Sequence, residues 1–243
     1  MKKNLKGLIS LFICIIMLLS VSVPVFATNK NNSNSLYNSK GFKDVKKDHW
    51  AYDNIMWMFE KNIINGVGNN CFNPEGTVTR AEFAKMMVNT LNLEKYSPET
   101  PSFLDVKKKN WEYPYVEGAK TYLTGFRASN GDYFKPSQTA VREDMAVALV
   151  KALGYQNEAA DESILNTFTD AGQISPNLRK YVALSVKYGL ILGDTKNGQS
   201  VFDPQGNLTR AQAATLLYRA FKNNEEKVTY DEDKDRLRQR LLQ

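Results

Sequence analysis

Phe72-Asn73-Pro74-Glu75-Gly76-Thr77-Val78-Thr79-Arg80-Ala81-Glu82 decides how this chain is read, because its frame returns twice. Phe134-Lys135-Pro136 precedes Arg142, and Phe202-Asp203-Pro204 precedes Arg210, each with the same spacing from proline to arginine. A repeat of about sixty residues therefore fills nearly all of the chain. Such units bury their apolar faces against each other, so both fold and function are sought at the positions the copies share. A proline disfavours helix at the residue before it. The Phe-x-Pro string is thus an extended or turned loop, and its phenylalanine is expected to plug into the core.

Downstream of each arginine the apolar positions are +3, +6, +7, +10 and +11, the stripe of an amphipathic helix. They hold Phe83, Met86, Met87, Thr90 and Leu91 in the first copy, and Met145, Ala148, Leu149, Ala152 and Leu153 in the second. The third copy has Ala213, Leu216, Leu217, Ala220 and Phe221. Upstream, each copy opens on an aromatic-x-Asp element: Phe42-Lys43-Asp44, Phe103-Leu104-Asp105 and Phe168-Thr169-Asp170. A first helix follows, with Ile55, Met58, Phe59 and Ile63 as its stripe in the first copy. Ser175-Pro176 offers an N-cap and a first-turn proline in the third. Gly66, Gly125 and Gly193 are expected to stop these first helices by taking the left-handed cap conformation. The fold class is all-α, with one helix hairpin per copy.

Thr79 and Glu82 form a capping box, the hydroxyl accepting from an orphan amide while the carboxylate reaches back to the threonine amide. Thr209 and Gln212 repeat the arrangement, whereas Val141 cannot cap and only the acid Asp144 is kept. Arg80, Arg142 and Arg210 are then the first helical residues, next to the positive end of the helix dipole, where a cation is disfavoured by roughly 0.3–1 kcal/mol. Free amides at a helix start attract anions, and a guanidinium adds a bidentate fork suited to carboxylate or phosphate. Each arginine is expected to mark an anion site filled by an internal acid or an external ligand. The bland alternative pairs Arg80 with Asp44, or with a neighbouring copy's aspartate, as an architectural salt bridge. Trp50 and Trp111 share one position near the first helix, where a tryptophan wedges the core or stacks on a sugar; Asn177 replaces them in the third copy.

The ends bound the compartment. Lys2, Lys3 and Lys6 precede an apolar run from Leu8 to Leu19, and Val25-Phe26-Ala27 follows, which reads as a signal peptide over residues 1–27. The run is too short for a membrane span, which needs roughly 20 apolar residues. Without those three lysines the formal net charge falls from +6 to +3. The mild balance and the short clusters Lys46-Lys47 and Lys107-Lys108-Lys109 lack the basic stripe of a nucleic-acid binder. Residues 28–40 are a polar leader. The copies run over 41–93, 102–154 and 167–222, and 223–243 form a charged tail. Cys71 alone survives loss of the signal, so the core and not a disulfide must hold the fold.

Phe-x-Asp-Val, Trp-Ala, a Gly-bounded helix, the Phe-x-Pro loop and Thr-Arg-Ala-Glu together resemble the S-layer homology (SLH) module of bacterial surface proteins, in three tandem copies. The resemblance implies a pseudo-threefold, three-pronged all-helical spindle with a central helical bundle. Its inter-repeat grooves would hold secondary cell-wall polymer bearing pyruvylated N-acetylmannosamine. It assigns Arg80, Arg142 and Arg210 to the pyruvate carboxylate. Asp44, Asp105 and Asp170 would accept sugar hydroxyls or orient the arginines, and Trp50, Trp111 and the glycines would shape the walls, with Glu82 and Asp144 beside them. Departures in the second and third copies imply unequal grooves. Nothing in the chain calls for a metal or cofactor. The rival readings are a wall-active glycoside hydrolase using Asp44 and Glu82 as acid and base, and an adaptor that docks another exported protein through its tail.

Overall fold

A computed structural model describes residues 41–241, so the signal and leader expectations lie outside the described residues. Regular structure is nearly all helical. The first copy contributes α1 (Tyr52–Glu60) and α2 (Arg80–Thr90), the second α3 (Tyr113–Ala119) and α4 (Arg142–Ala152), and the third α5 (Arg179–Lys187) and α6 (Arg210–Leu241). Two antiparallel hairpins sit in the loops: β1 (Phe126–Ala128) with β2 (Gly131–Tyr133), and β3 (Asp194–Lys196) with β4 (Gln199–Val201). Each second helix begins at its arginine, as the spacing predicts, and α6 continues well past Lys222.

The three Phe-x-Pro loops meet. Val78 donates its amide to Leu208 O at 2.9 Å, Leu208 to Ala140 O at 2.9 Å, and Ala140 to Val78 O at 2.8 Å. This closed ring relates the copies by pseudo-threefold symmetry, and its three side chains are fully buried. Around it, α2 packs on α3, α4 on α5, and α6 returns to α1. The closest helix packing therefore joins each second helix to the first helix of the next copy. Trp57 on α1 marks the return, lying 5.1 Å from the Tyr218 ring and 4.9 Å from the Phe221 ring of α6.

Phe72, Phe134 and Phe202 are 0% exposed and contact the opening phenylalanines Phe42, Phe103 and Phe168, so the plug expectation holds. The residue between Phe and Pro is left-handed in all three loops: Asn73 (φ 58°), Lys135 (φ 59°) and Asp203 (φ 58°). Thr90, the odd residue of the α2 stripe, stays buried by donating its hydroxyl to Met86 O at 2.7 Å.

Two local expectations are corrected. Gly66, Gly125 and Gly193 do not cap the first helices. Asn62 (φ 59°) and Gly189 (φ 65°) take the left-handed turns after α1 and α5. The three glycines lie further on, where the chain passes beneath the opening phenylalanines: a Cβ on Gly66 would sit 2.5 Å from Cys71 O, and one on Gly125 3.1 Å from Phe103 Cε1. At Gly193 it would collide with Phe168 and lie 2.8 Å from Val201 O. Ser175 does not cap α5, which starts at Arg179. Its amide and hydroxyl donate instead to the buried Glu143 carboxylate, at 3.0 and 2.6 Å.

Candidate functional site

The aspartates build the loops. Asp44 accepts from the Phe72 and Asn73 amides at 2.8 and 2.7 Å, Asp105 from Phe134 and Lys135 at 2.9 and 2.7 Å, and Asp170 from Phe202 and Asp203 at 2.8 and 2.7 Å. Each carboxylate thus pins the left-handed residue and the phenylalanine before it. The phenylalanine carbonyl in turn receives an arginine Nε from the preceding copy. Arg80 donates to Phe134 O at 2.8 Å, Arg142 to Phe202 O at 2.7 Å and Arg210 to Phe72 O at 2.8 Å. The aspartates orient the arginines through the backbone.

The helix starts are not open anion sites. The first two amides of α2 donate to Gln138 O and Pro136 O, those of α4 to Gly206 O and Pro204 O, and those of α6 to Gly76 O and Pro74 O. The next copy's carbonyls occupy the positive end of each dipole and relieve the cost of placing a cation there. Any anion must be met by the outer guanidinium nitrogens.

Those nitrogens carry unequal loads. Arg80 is saturated: Nη1 donates to Asp144 Oδ2 at 2.6 Å, Nη2 to Thr124 O at 2.5 Å, and both to Thr124 Oγ1 at 3.3 Å. Its guanidinium also lies 5.1 Å from the Phe126 ring and 4.8 Å from the Phe134 ring. Arg210 spends Nη2 on Asn65 O at 3.0 Å. Arg142 is 5% exposed, and its Nη2 is buried with no hydrogen-bond partner among the described residues. Burial pushes its pKa below the ordinary arginine value, opposed by the charges of Asp194 and Asp203.

Arg142 opens into a groove of about 390 Å³ whose walls include Trp50, Gly193, Asp194, Gln212 and Arg219. Arg210 borders an equivalent groove of about 260 Å³ with Trp111, Gly66, Glu82, Lys85 and Asn89. Each combines the Gly loop and second helix of one copy, the tryptophan of the next and the arginine of the one before. Trp50 and Trp111 are 61% and 53% exposed, so they stand as groove walls and not as core wedges. Gly125 lies in the loop of the third, equivalent position, where Arg80 and Asp144 meet.

The side chains at the third helical position explain the difference. Glu82 turns back onto Thr79, accepting its amide at 2.8 Å and its hydroxyl at 2.9 Å, and Gln212 accepts the Thr209 amide at 3.0 Å. Val141 offers no cap, so Asp144 is left to reach Arg80. Lys85, Asn89, Thr215 and Arg219 were not singled out from sequence as groove residues. Their signal is helical spacing: Glu82, Lys85, Met86 and Asn89 form the same i, i+3, i+4, i+7 stripe as Gln212, Thr215, Leu216 and Arg219.

The S-layer homology domain profile matches residues 41–84 and 167–214. The chain is an S-layer homology domain protein. It is 36% identical over 74% of its length to an amylopullulanase of Thermoanaerobacterium thermosulfurigenes, covering 9% of that protein. It is 32% identical over 88% of its length to an endoglucanase of Bacillus sp. (strain KSM-635), covering 22% of it. With the surface-layer 125 kDa protein of Lysinibacillus sphaericus the figures are 30%, 73% and 14%. The chain thus spans less than a quarter of each of these relatives. S-layer homology domains are binding modules that mediate cell-wall anchoring, which makes this a secreted protein of the bacterial cell surface. No helix among the described residues is long and apolar enough to cross a membrane.

Proposed function

We propose that this S-layer homology protein attaches non-covalently to the wall by binding secondary cell-wall polymer, with the carboxylate of pyruvylated N-acetylmannosamine held in its inter-repeat grooves. The observation that carries the reading is Arg142: it borders the groove beside the exposed Trp50, and its Nη2 is buried without a hydrogen-bond partner among the described residues. Burying an unpaired charged donor costs several kcal/mol, and a bound carboxylate would complete the fork. Residues 41–93, 102–154 and 167–222 are taken as three domain copies, the middle one on the strength of its place in the ring.

The chain acts as a binding module and not as a glycosidase. Asp44 is held on two loop amides and Glu82 on its own cap, so neither carboxylate of the rival pair faces a substrate as a free acid or base. Sedimentation of the full chain with isolated walls tests the proposal. Removal of the pyruvate ketals should abolish co-sedimentation, and Arg142→Gln should weaken it by about 10- to 100-fold, the value of one charge-assisted hydrogen bond. Undiminished sedimentation with depyruvylated walls would sink the reading.

A further inference from the structure

We propose that Asp144 is a built-in carboxylate ligand that closes the Arg80 groove and limits this chain to two saccharide sites. The claim rests on the polymer-binding reading and adds a valency to it.

Three observations converge on the Arg80 position. The outer guanidinium nitrogens, which an incoming carboxylate would need, are already bonded to Asp144 and Thr124. The ion pair is 2.6 Å long and nearly enclosed, with side-chain exposures of 3% for Arg80 and 16% for Asp144. The guanidinium is also packed between Phe126 and Phe134. Val67 and Asp194 follow the groove glycines where Phe126 stands, and Asn177 stands where Trp50 and Trp111 line the other two grooves.

The cause lies in one residue upstream. Where Thr79 or Thr209 caps the helix, the side chain at the third helical position folds back onto its own cap and makes no hydrogen bond to the neighbouring Arg210 or Arg142 among the described residues. Where Val141 stands, that side chain has no cap to complete, and it swings across the copy boundary to Arg80. A ligand carboxylate would have to displace an acid that is covalently tethered and already aligned, so its effective concentration at Arg80 far exceeds that of a polymer end.

Isothermal titration of the full chain with a soluble saccharide ending in pyruvylated N-acetylmannosamine tests this. Two sites are expected, and Arg80→Gln, provided it keeps a cooperative melt, should leave both affinities within about twofold. A second variant carries Phe126→Val, Val141→Thr, Asp144→Gln and Asn177→Trp, which copies the open grooves into the closed one without touching Arg80. It should bind three equivalents. Three sites in the unaltered chain, loss of a site in Arg80→Gln, or a folded fourfold variant that still binds two would overturn the proposal while leaving polymer binding intact. No binding by the unaltered chain would instead overturn the polymer reading, and the valency with it.

Discussion

Three arginines at equivalent helix starts have become three different chemical objects. Arg80 is a saturated structural cation, Arg210 is half engaged, and Arg142 holds a buried nitrogen without a partner among the described residues. The contrast predicts opposite weights for stability and binding. Arg80→Met should destabilise the fold by about 3–5 kcal/mol, because it strands the Asp144 carboxylate in a nearly closed site. Arg142→Met gives up one bond to Phe202 O, a loss of about 1 kcal/mol, and also removes an unpaired buried charge. Urea denaturation of the two variants measures the difference. Equal losses would mean that Asp144 contributes nothing to holding Arg80. Arg142 is nonetheless the residue whose replacement should release the chain from walls, so stability and attachment are separable at this position.

At the scale of the element, the capping box determines which way a groove acid points. Thr79→Val reproduces in α2 what Val141 does in α4, and loss of the cap should cost about 1 kcal/mol. It should also free Glu82, which borders the Arg210 groove, and so weaken saccharide binding there. Thermal melting combined with titration checks both effects; a loss of stability with unchanged binding would show that Glu82 stays on the helix start without its threonine. Much of this level was legible in the sequence. The stripe below each arginine and the Thr-x-x-Glu signature depend on residues within one or two helical turns, and both appear as read. The glycines were misplaced because a chain reversal and a close approach both select glycine, and only the position of Phe42, Phe103 and Phe168 separates the two. The exposure of Trp50 and Trp111 was illegible for a similar reason, since it is decided by the copy packed alongside. Amides that looked free at the helix starts were claimed by carbonyls of another copy, 55–64 residues away in the chain for α2 and α4 and 134–137 away for α6.

Across the whole molecule, every pair of α-helices that packs most tightly and every bond of the central ring joins different copies. No copy holds its own second helix against its own first by the closest packing, and the last copy must return to the first before either is complete. Units joined in a closed ring have no free end from which to fray, so the open-chain behaviour of a solenoid, with its terminal caps and stepwise loss, should be absent. The contact of Trp57 with Tyr218 and Phe221 reports on closure directly. The chain has 3 tryptophans, so Trp50→Phe together with Trp111→Phe leaves Trp57 as the only one. In that variant, urea should shift Trp57 fluorescence over the same range in which the Met145 and Leu149 amides of α4 lose their native resonances, although α4 lies in the copy remote from the contact. A Trp57 transition at distinctly lower urea would mean that the α1–α6 contact opens while the middle copy stays folded. The groove at Arg142, which takes Trp50 from the first copy and its floor from the third, would then be lost before the fold.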